Sequence, residues 1–175
     1  MESCCQMPVN ESSIMTNCPV CHLKGKRVPL ITLKSLLKPT SLETINHEEC
    51  YAFCSNPSCE VVYFSHSKTF SKDMLKVRVY QKDEGLDVPV CYCFNWTRER
   101  IIEAMQDNER PTDHIREQVQ AGRCGCEVNN PQGSCCLGNV AAFMKTVNTN
   151  HTPNTNECFF HKKKKATPST YRLHD

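Results

Sequence analysis

Cys91-Tyr-Cys93 is followed 33 residues later by Cys126 and then by the doublet Cys135-Cys136, which closes the run Asn-Asn-Pro-Gln-Gly-Ser. Upstream lies a second set, Cys18-Pro-Val-Cys21 and Cys54-Ser-Asn-Pro-Ser-Cys59. Two sets of four thiols in one short chain are the donor pattern of two metal sites. A Cys-x-Cys pair on an extended segment sends both thiolates to the same side, two residues apart, where they can hold one iron of a cluster. Cys-x-x-Cys is the spacing of a zinc or rubredoxin-type knuckle.

The upstream set reads C-x2-C…C-x4-C, so Cys18, Cys21, Cys54 and Cys59 can close a tetrahedral sulfur shell around zinc. Iron would accept the same ligands. The reading favours a zinc that holds a small β-rich half together, since few large apolar residues are there to do so. Cys50, four residues before Cys54, is a competitor or a packing residue. In the downstream set Cys91, Cys93, Cys126 and one of Cys135 and Cys136 are the candidates, with Cys124 the alternative to Cys126. Ser134 is positioned to cap a helix whose first turn holds Cys136. The positive end of that helix favours an anionic group, so Cys136 is preferred to Cys135.

The elements that must position these thiols can be read in outline. The chain has 175 residues, enough for one domain or two small ones, with 14 cysteines and a formal net charge of +2. Val28-Pro-Leu-Ile-Thr-Leu33, Tyr51-Ala-Phe53, Val61-Val-Tyr-Phe64 and Leu75-Lys-Val-Arg-Val-Tyr80 read as strands, although Thr32 to Leu37 also suits a helical turn. Asp83-Glu-Gly-Leu-Asp87 reads as a hinge. Beyond Val90 the apolar period lengthens. Thr97 caps a helix carrying Ile101, Ile102 and Met105 on one face. Pro111-Thr112-Asp113 opens a second with Ile115 and Val119, stopped by Gly122. A third runs from Cys136 through Leu137, Val140, Ala141, Met144 and Val147. The fold class expected is α+β: a disordered start over 1–17, a zinc-binding domain over 18–86, a helix-turn-helix domain over 87–148, and a disordered basic tail over 149–175. With the two thiol sets in separate halves, each should fill independently of the other.

Composition narrows the function. The opening Met1–Pro8 stretch has no basic segment followed by an apolar one, and no apolar run reaches the ~20 residues of a membrane span. Thiols in a chain that is not exported meet a reducing cytosol, so the expectation is a cytoplasmic protein whose cysteines bind metal rather than form disulfides. Four thiolates around one zinc leave about −2, as do four around an oxidised two-iron, two-sulfide cluster, so the loaded protein is net acidic. That argues against nucleic acid, as does the second helix, where Arg116, Gln118 and Gln120 are mixed with Asp113 and Glu117. The run His161–Lys165 reads as a solvated tail. Cys4, Cys5, Met7 and Met15 offer soft donors for Cu(I). His22, His47, His66 and His114 fall in no pattern, and no phosphate loop or hydrolase motif is present.

These motifs resemble known families. Val90-Cys91-Tyr-Cys93, two helices, and Cys126-Glu-Val-Asn-Asn-Pro-Gln-Gly-Ser-Cys135-Cys136 resemble the [2Fe–2S] domain of bacterioferritin-associated ferredoxins, a short helical cradle for its cluster. Cys18-Pro-Val-Cys21 with Cys54-Ser-Asn-Pro-Ser-Cys59-Glu-Val-Val-Tyr-Phe resembles the zinc domain of CopZ-type copper chaperones. The order is that of the N-terminal part of the larger proteins of that type, and the resemblance spans roughly 18–147. It implies a mononuclear zinc and a [2Fe–2S] cluster, in a metallochaperone-like protein that is not a classical enzyme and reduces Cu(II) to Cu(I) for a copper chaperone or a copper-transporting ATPase. Those proteins continue into a heavy-metal domain with a Met-x-Cys-x-x-Cys loop. Here the residues after 148 carry no such loop, only Cys158 and His161 as soft ligands. The other functions compatible with the motifs are a cluster carrier and a redox-sensing DNA-binding regulator.

Overall fold

A computed structural model describes residues 16–150. The terminal expectations, including the Cys4-Cys5 copper site, Cys158, His161 and the basic tail, lie outside the described residues.

The first half is a four-stranded antiparallel sheet in the order β1-β2-β3-β4, formed by β1 (Lys26–Val28), β2 (Tyr51–Phe53), β3 (Val61–Phe64) and β4 (Thr69–Ser71). Two of the four expected runs, Tyr51–Phe53 and Val61–Phe64, are its centre, paired Phe53 to Tyr63. Every residue of both strands is buried, as β-branched and aromatic residues in a covered sheet should be. Tyr51, Phe53, Tyr63 and Phe70 form one core with Val28, Leu33, Leu37, Leu75 and Val79. Ala52, Val61 and Phe64 close around Cys18, Cys54 and Cys59 in another.

Two of the expected strands are not strands. In the first run only Val28 extends β1, and the rest becomes the helix α1 (Leu30–Leu36). Pro29 holds an extended conformation at its start, and Leu33 and Leu36 turn inward one helical step apart. Leu75–Tyr80 keeps the alternating burial of a strand, with Leu75 and Val79 inside, but it has no ladder partner beyond the single Leu37–Leu75 bridge. It bends into a 3-10 turn over Tyr80–Lys82. A short helix, α2 (Pro39–Leu42), joins α1 to β2.

The second half is helical around a two-stranded hairpin of β5 (Pro89–Cys91) and β6 (Trp96–Thr97). The three expected helices form: α3 (Arg98–Gln106), α4 (Pro111–Gln120) and, after a short α5 (Cys126–Asn129), α6 (Leu137–Asn150). Thr97 caps α3, its Oγ1 accepting the N–H of Arg100. Gly122 takes the left-handed conformation past the end of α4, at φ +67°. Ile101, Ala104, Ile115 and Val140 pack with Val90, Trp96, Cys91 and Cys136, so two of the thiols belong to this core.

The Asp83–Asp87 segment is clamped rather than hinged. The Arg78 guanidinium donates to Asp83 at 2.6 and 2.8 Å and to Asp87 at 2.6 and 2.7 Å. Arg98 donates to the Gly85 carbonyl at 3.1 Å.

Nor are the halves separate. The loop Asn130–Ser134 tucks into the first half, with Pro131 and Gly133 buried. Tyr63 donates its hydroxyl to the Pro131 carbonyl at 2.8 Å, and Thr32 donates to the Glu127 carbonyl at 2.6 Å. Gly133 has φ +63°, and a Cβ there would lie 2.9 Å from Pro29 Cδ and from Thr32 Oγ1. The turn Tyr80–Lys82 adds a bracket of three consecutive residues. The Tyr80 N–H donates to the Tyr92 hydroxyl, between the two cysteines of Cys-x-Cys, at 2.8 Å. Gln81 donates to Gln132 at 2.9 Å, and Lys82 reaches the Cys54–Cys59 loop.

Candidate metal centres

The first thiol set is assembled by two turns. An Asn17–Lys24 bridge closes the turn that carries Cys18 and Cys21. Inside it Cys18 donates its N–H to the Leu23 carbonyl and His22 donates to the Cys18 carbonyl, each at 2.9 Å. His22 has φ +61°, a left-handed residue that lets the Leu23 N–H point at the Cys21 sulfur. The second turn leaves β2 at Cys54 and re-enters the sheet at Val61. Cys54 accepts the N–H of Asn56, and Cys59 accepts that of Val61. Three of the four sulfurs thus receive an N–H from two residues downstream, which fixes their direction.

All four Sγ atoms lie within 4.8 Å of one another. Cys21 and Cys54 are 3.5 Å apart, Cys18 and Cys59 3.9 Å. Tetrahedral sulfur ligands at ~2.3 Å stand about 3.8 Å apart, so the donor set fits a single zinc-sized ion without rearrangement. Without an ion the thiols are unequal. The Leu23 N–H, against burial and with help from the Asn56 side chain, holds Cys21 down to about 6. Burial pushes Cys54 up to about 12 and raises Cys59 as well. Cys50 stays outside the set, its sulfur accepting from Arg27 at 3.5 Å.

The second set is arranged differently. Cys93 and Cys126 are 3.8 Å apart, and Cys91 and Cys136 lie together in the core, where each shifts the other's acidity. Among the described residues no second group of three or more ligand atoms lies within 4.8 Å of one another, so these thiols form two pairs instead of one tetrad. Cys93 also receives the Gly125 N–H at 3.4 Å and the Asn129 side-chain amide at 3.7 Å. Cys136 draws Cys91 down to about 7, while Cys136 is itself raised by Cys91 and by burial. Burial, then the neighbouring Cys93, raise Cys126 to about 12.

Cys136 is buried and Cys135 exposed. Ser134 is not the cap of α6. Its hydroxyl accepts from Lys26 at 2.7 Å, and the Cys136 carbonyl accepts the first helical N–H, from Val140. Cys136 therefore stands at the cap position itself, just ahead of the first turn. Cys124 is half-buried and bears on Cys126 only through its charge.

Some contributors had no signal in the sequence. Lys82, Gly125 and Asn129 lie far from the motifs they serve or look like ordinary loop residues. Asn56 could have been suspected, because Asn before Pro starts a turn, and its Oδ1 does accept the Ser58 N–H. His114 has a structural part: its Nδ1 accepts from the Trp96 indole at 3.1 Å. The helix weighed as a DNA reader keeps its charges to itself, since Asp113 pairs with both Arg110 and Arg116. No helix among the described residues is long and apolar enough to cross a membrane.

Comparison with known proteins agrees with the geometry of the first set. Residues 15–76, which hold its four cysteines, match the CopZ-type family described as a zinc binding domain. The copper chaperone CopZ of Archaeoglobus fulgidus is 37% identical over 123 residues, which are 70% of this chain and 58% of that protein. The chain thus spans less than two thirds of that relative's length. The solved N-terminal domain of the same CopZ superposes with a TM-score of 0.61 at 35% identity, over 72% of this chain and 95% of the domain. With nearly the whole of that domain matched at this identity, the chain belongs to the family of the CopZ N-terminal domain.

Proposed function

We propose that the chain binds zinc through Cys18, Cys21, Cys54 and Cys59 and a [2Fe–2S] cluster through Cys91, Cys93, Cys126 and Cys136, and that it passes single electrons to Cu(II) in copper handling. On this reading residues 18–86 carry the zinc and 87–148 the cluster. The observation that carries it is the contrast between a compact tetrad and two pairs. One ion needs four sulfurs equally close, whereas a two-iron cluster needs two on each iron, with the pairs held apart. Cys93 with Cys126, and Cys91 with Cys136, are those pairs on this reading, so the two cysteines of Cys-x-Cys go to different irons and not, as their spacing alone suggests, to one.

The cluster, when bound, supplies a one-electron store. The chain's own residues tune and hold it. The Gly125 N–H and the Asn129 amide donate to Cys93, and donors to a ligand sulfur favour the more negative, reduced state. Cys91 and Cys136, both buried, anchor the inner side, while half-buried Cys93 and Cys126 face outward. One face is therefore accessible to an acceptor and the other dry. The substrate is Cu(II), which gains one electron to become Cu(I). A thiol-rich copper chaperone or a copper-transporting ATPase is the proposed recipient.

The test begins with anaerobically purified protein, expected to contain one zinc, two irons and two sulfides per chain. Its dithionite-reduced form, mixed with Cu(II) in a stopped-flow instrument, should be reoxidised as a Cu(I) chelator develops colour in equal amount. Two zincs and no iron would refute the cluster. Bleaching without stoichiometric Cu(I) would refute the copper reaction.

A further inference from the structure

Lys82 is a buried lysine whose ammonium is not paired with a carboxylate among the described residues, although Asp83 and Glu84 follow it and line the same surface pocket, Asp83 being held by Arg78. It is 9% exposed. Its ammonium donates to the Asn56 carbonyl at 2.8 Å and to the Cys59 carbonyl at 2.9 Å, and among the described residues it makes no ion pair. Two carbonyl dipoles satisfy its donors but do not cancel its charge. A buried cation in such surroundings needs an anion nearby. Here the Cys54–Cys59 loop is what it grips, through the carbonyls of Asn56 and of the ligand Cys59. Four thiolates on zinc carry about −2, which is itself costly to hold among Ala52, Val61 and Phe64.

We propose that Lys82 is the internal counter-charge of the four-cysteine centre and the positioning residue of its second turn. The burial of Lys82 and the negative charge of the loaded centre offset each other. The two hydrogen bonds hold the loop at the height that brings Cys54 and Cys59 to Cys18 and Cys21. This rests on the reading of that centre as a zinc site. It adds a determinant of metal retention that comes from the 3-10 turn beside the other thiol set.

The experiment compares full-length, zinc-loaded wild type with Lys82→Met, Lys82→Gln and Lys82→Arg. Zinc is followed with a colorimetric chelator, as a release rate at neutral pH and as the pH at which half the zinc is lost. Removing a unit charge near thiolates favours protons over metal. Lys82→Met and Lys82→Gln should therefore release zinc roughly ten-fold faster and lose it at a pH higher by about half a unit to one unit. Lys82→Arg, which keeps the charge and two donors, should recover most of both losses. If the Met variant does not fold, the Gln and Arg variants decide. Equal pH midpoints in Gln and Arg would overturn the counter-charge, and so would wild-type release rates in Lys82→Met. A wild-type protein that takes up no zinc would overturn the zinc reading instead.

Discussion

Cys21 differs from Cys54 and Cys59 in the tetrad. Its sulfur receives the Leu23 N–H and is held near 6, while Cys54 is raised to about 12 by burial. The sign is clear: a lowered thiol is a thiolate above its own value and reverts to thiol below it. In zinc-free protein at pH 7, brief iodoacetamide treatment should label Cys21 at least ten-fold faster than Cys54 or Cys59, and the Cys21 rate itself should fall as pH falls through about 6. Peptide mass spectrometry reads the order, and equal labelling of Cys54 would refute it. Zinc should protect all four. In the second set Cys135 and Cys136 are adjacent but not equivalent, because Cys136 is buried against Cys91 and Cys135 faces solvent. Cys136→Ala should abolish the visible spectrum of the loaded protein, and Cys135→Ala should leave most of it. The reverse result would reassign the ligand.

Short loops set the geometry more than the regular elements do, and Gly133 shows how. It combines a left-handed backbone with no space for a Cβ between Pro29 and Thr32. Gly133→Ala should cost about 2 kcal/mol from strain alone, with displacement of the loop on top, and lower the melting temperature by roughly 5 °C or more. Thermal denaturation checks this, with Gly122→Ala as the control, because a Cβ there meets nothing within 4 Å. The larger loss should be at Gly133. What the sequence made legible follows the same division. The helices α3, α4 and α6 were readable because caps and stops are local signals, written within one turn of where they act. The strands β2 and β3 were readable because their residues suit a doubly covered sheet. Val28–Leu33 misled because its β-branched residues suit a strand and Pro29 can equally precede a helix, a choice that packing of Leu33 and Leu36 decides. Ser134 misled because its cap rival, Lys26, is distant in sequence. The cysteine sets were legible from spacing, but not their division into a tetrad and two pairs, which depends on how β5, α5 and α6 converge.

At the scale of the described residues the two halves are joined, because the turn between α5 and α6 is seated in the other half. Sequence spacing suggested two centres that fill independently, since it says nothing of Tyr63 reaching Pro131 or Gln81 reaching Gln132. Removing zinc should therefore be felt beyond the sheet. Hydrogen exchange on chelator-treated protein should rise not only in 18–64 but also over 126–134, where α5 and its following loop rest on α1 and β3. Unchanged protection over 126–134 would restore the independent view. Tyr63 gives this joint a further property. Its ring is fully buried and burial raises its hydroxyl far above the usual tyrosine range. That hydroxyl stays a donor to Pro131 at any pH the fold survives. The Tyr63–Pro131 bond has no acid–base switch of its own, so a descendant of this gene could change what the two centres do without loosening that joint. A recombination break in the clamped Asp83–Asp87 segment, where the sequence reads as most divisible, would instead leave both products with an open apolar wound: Val28, Pro29 and Thr32 on one, Pro131 and Gly133 on the other.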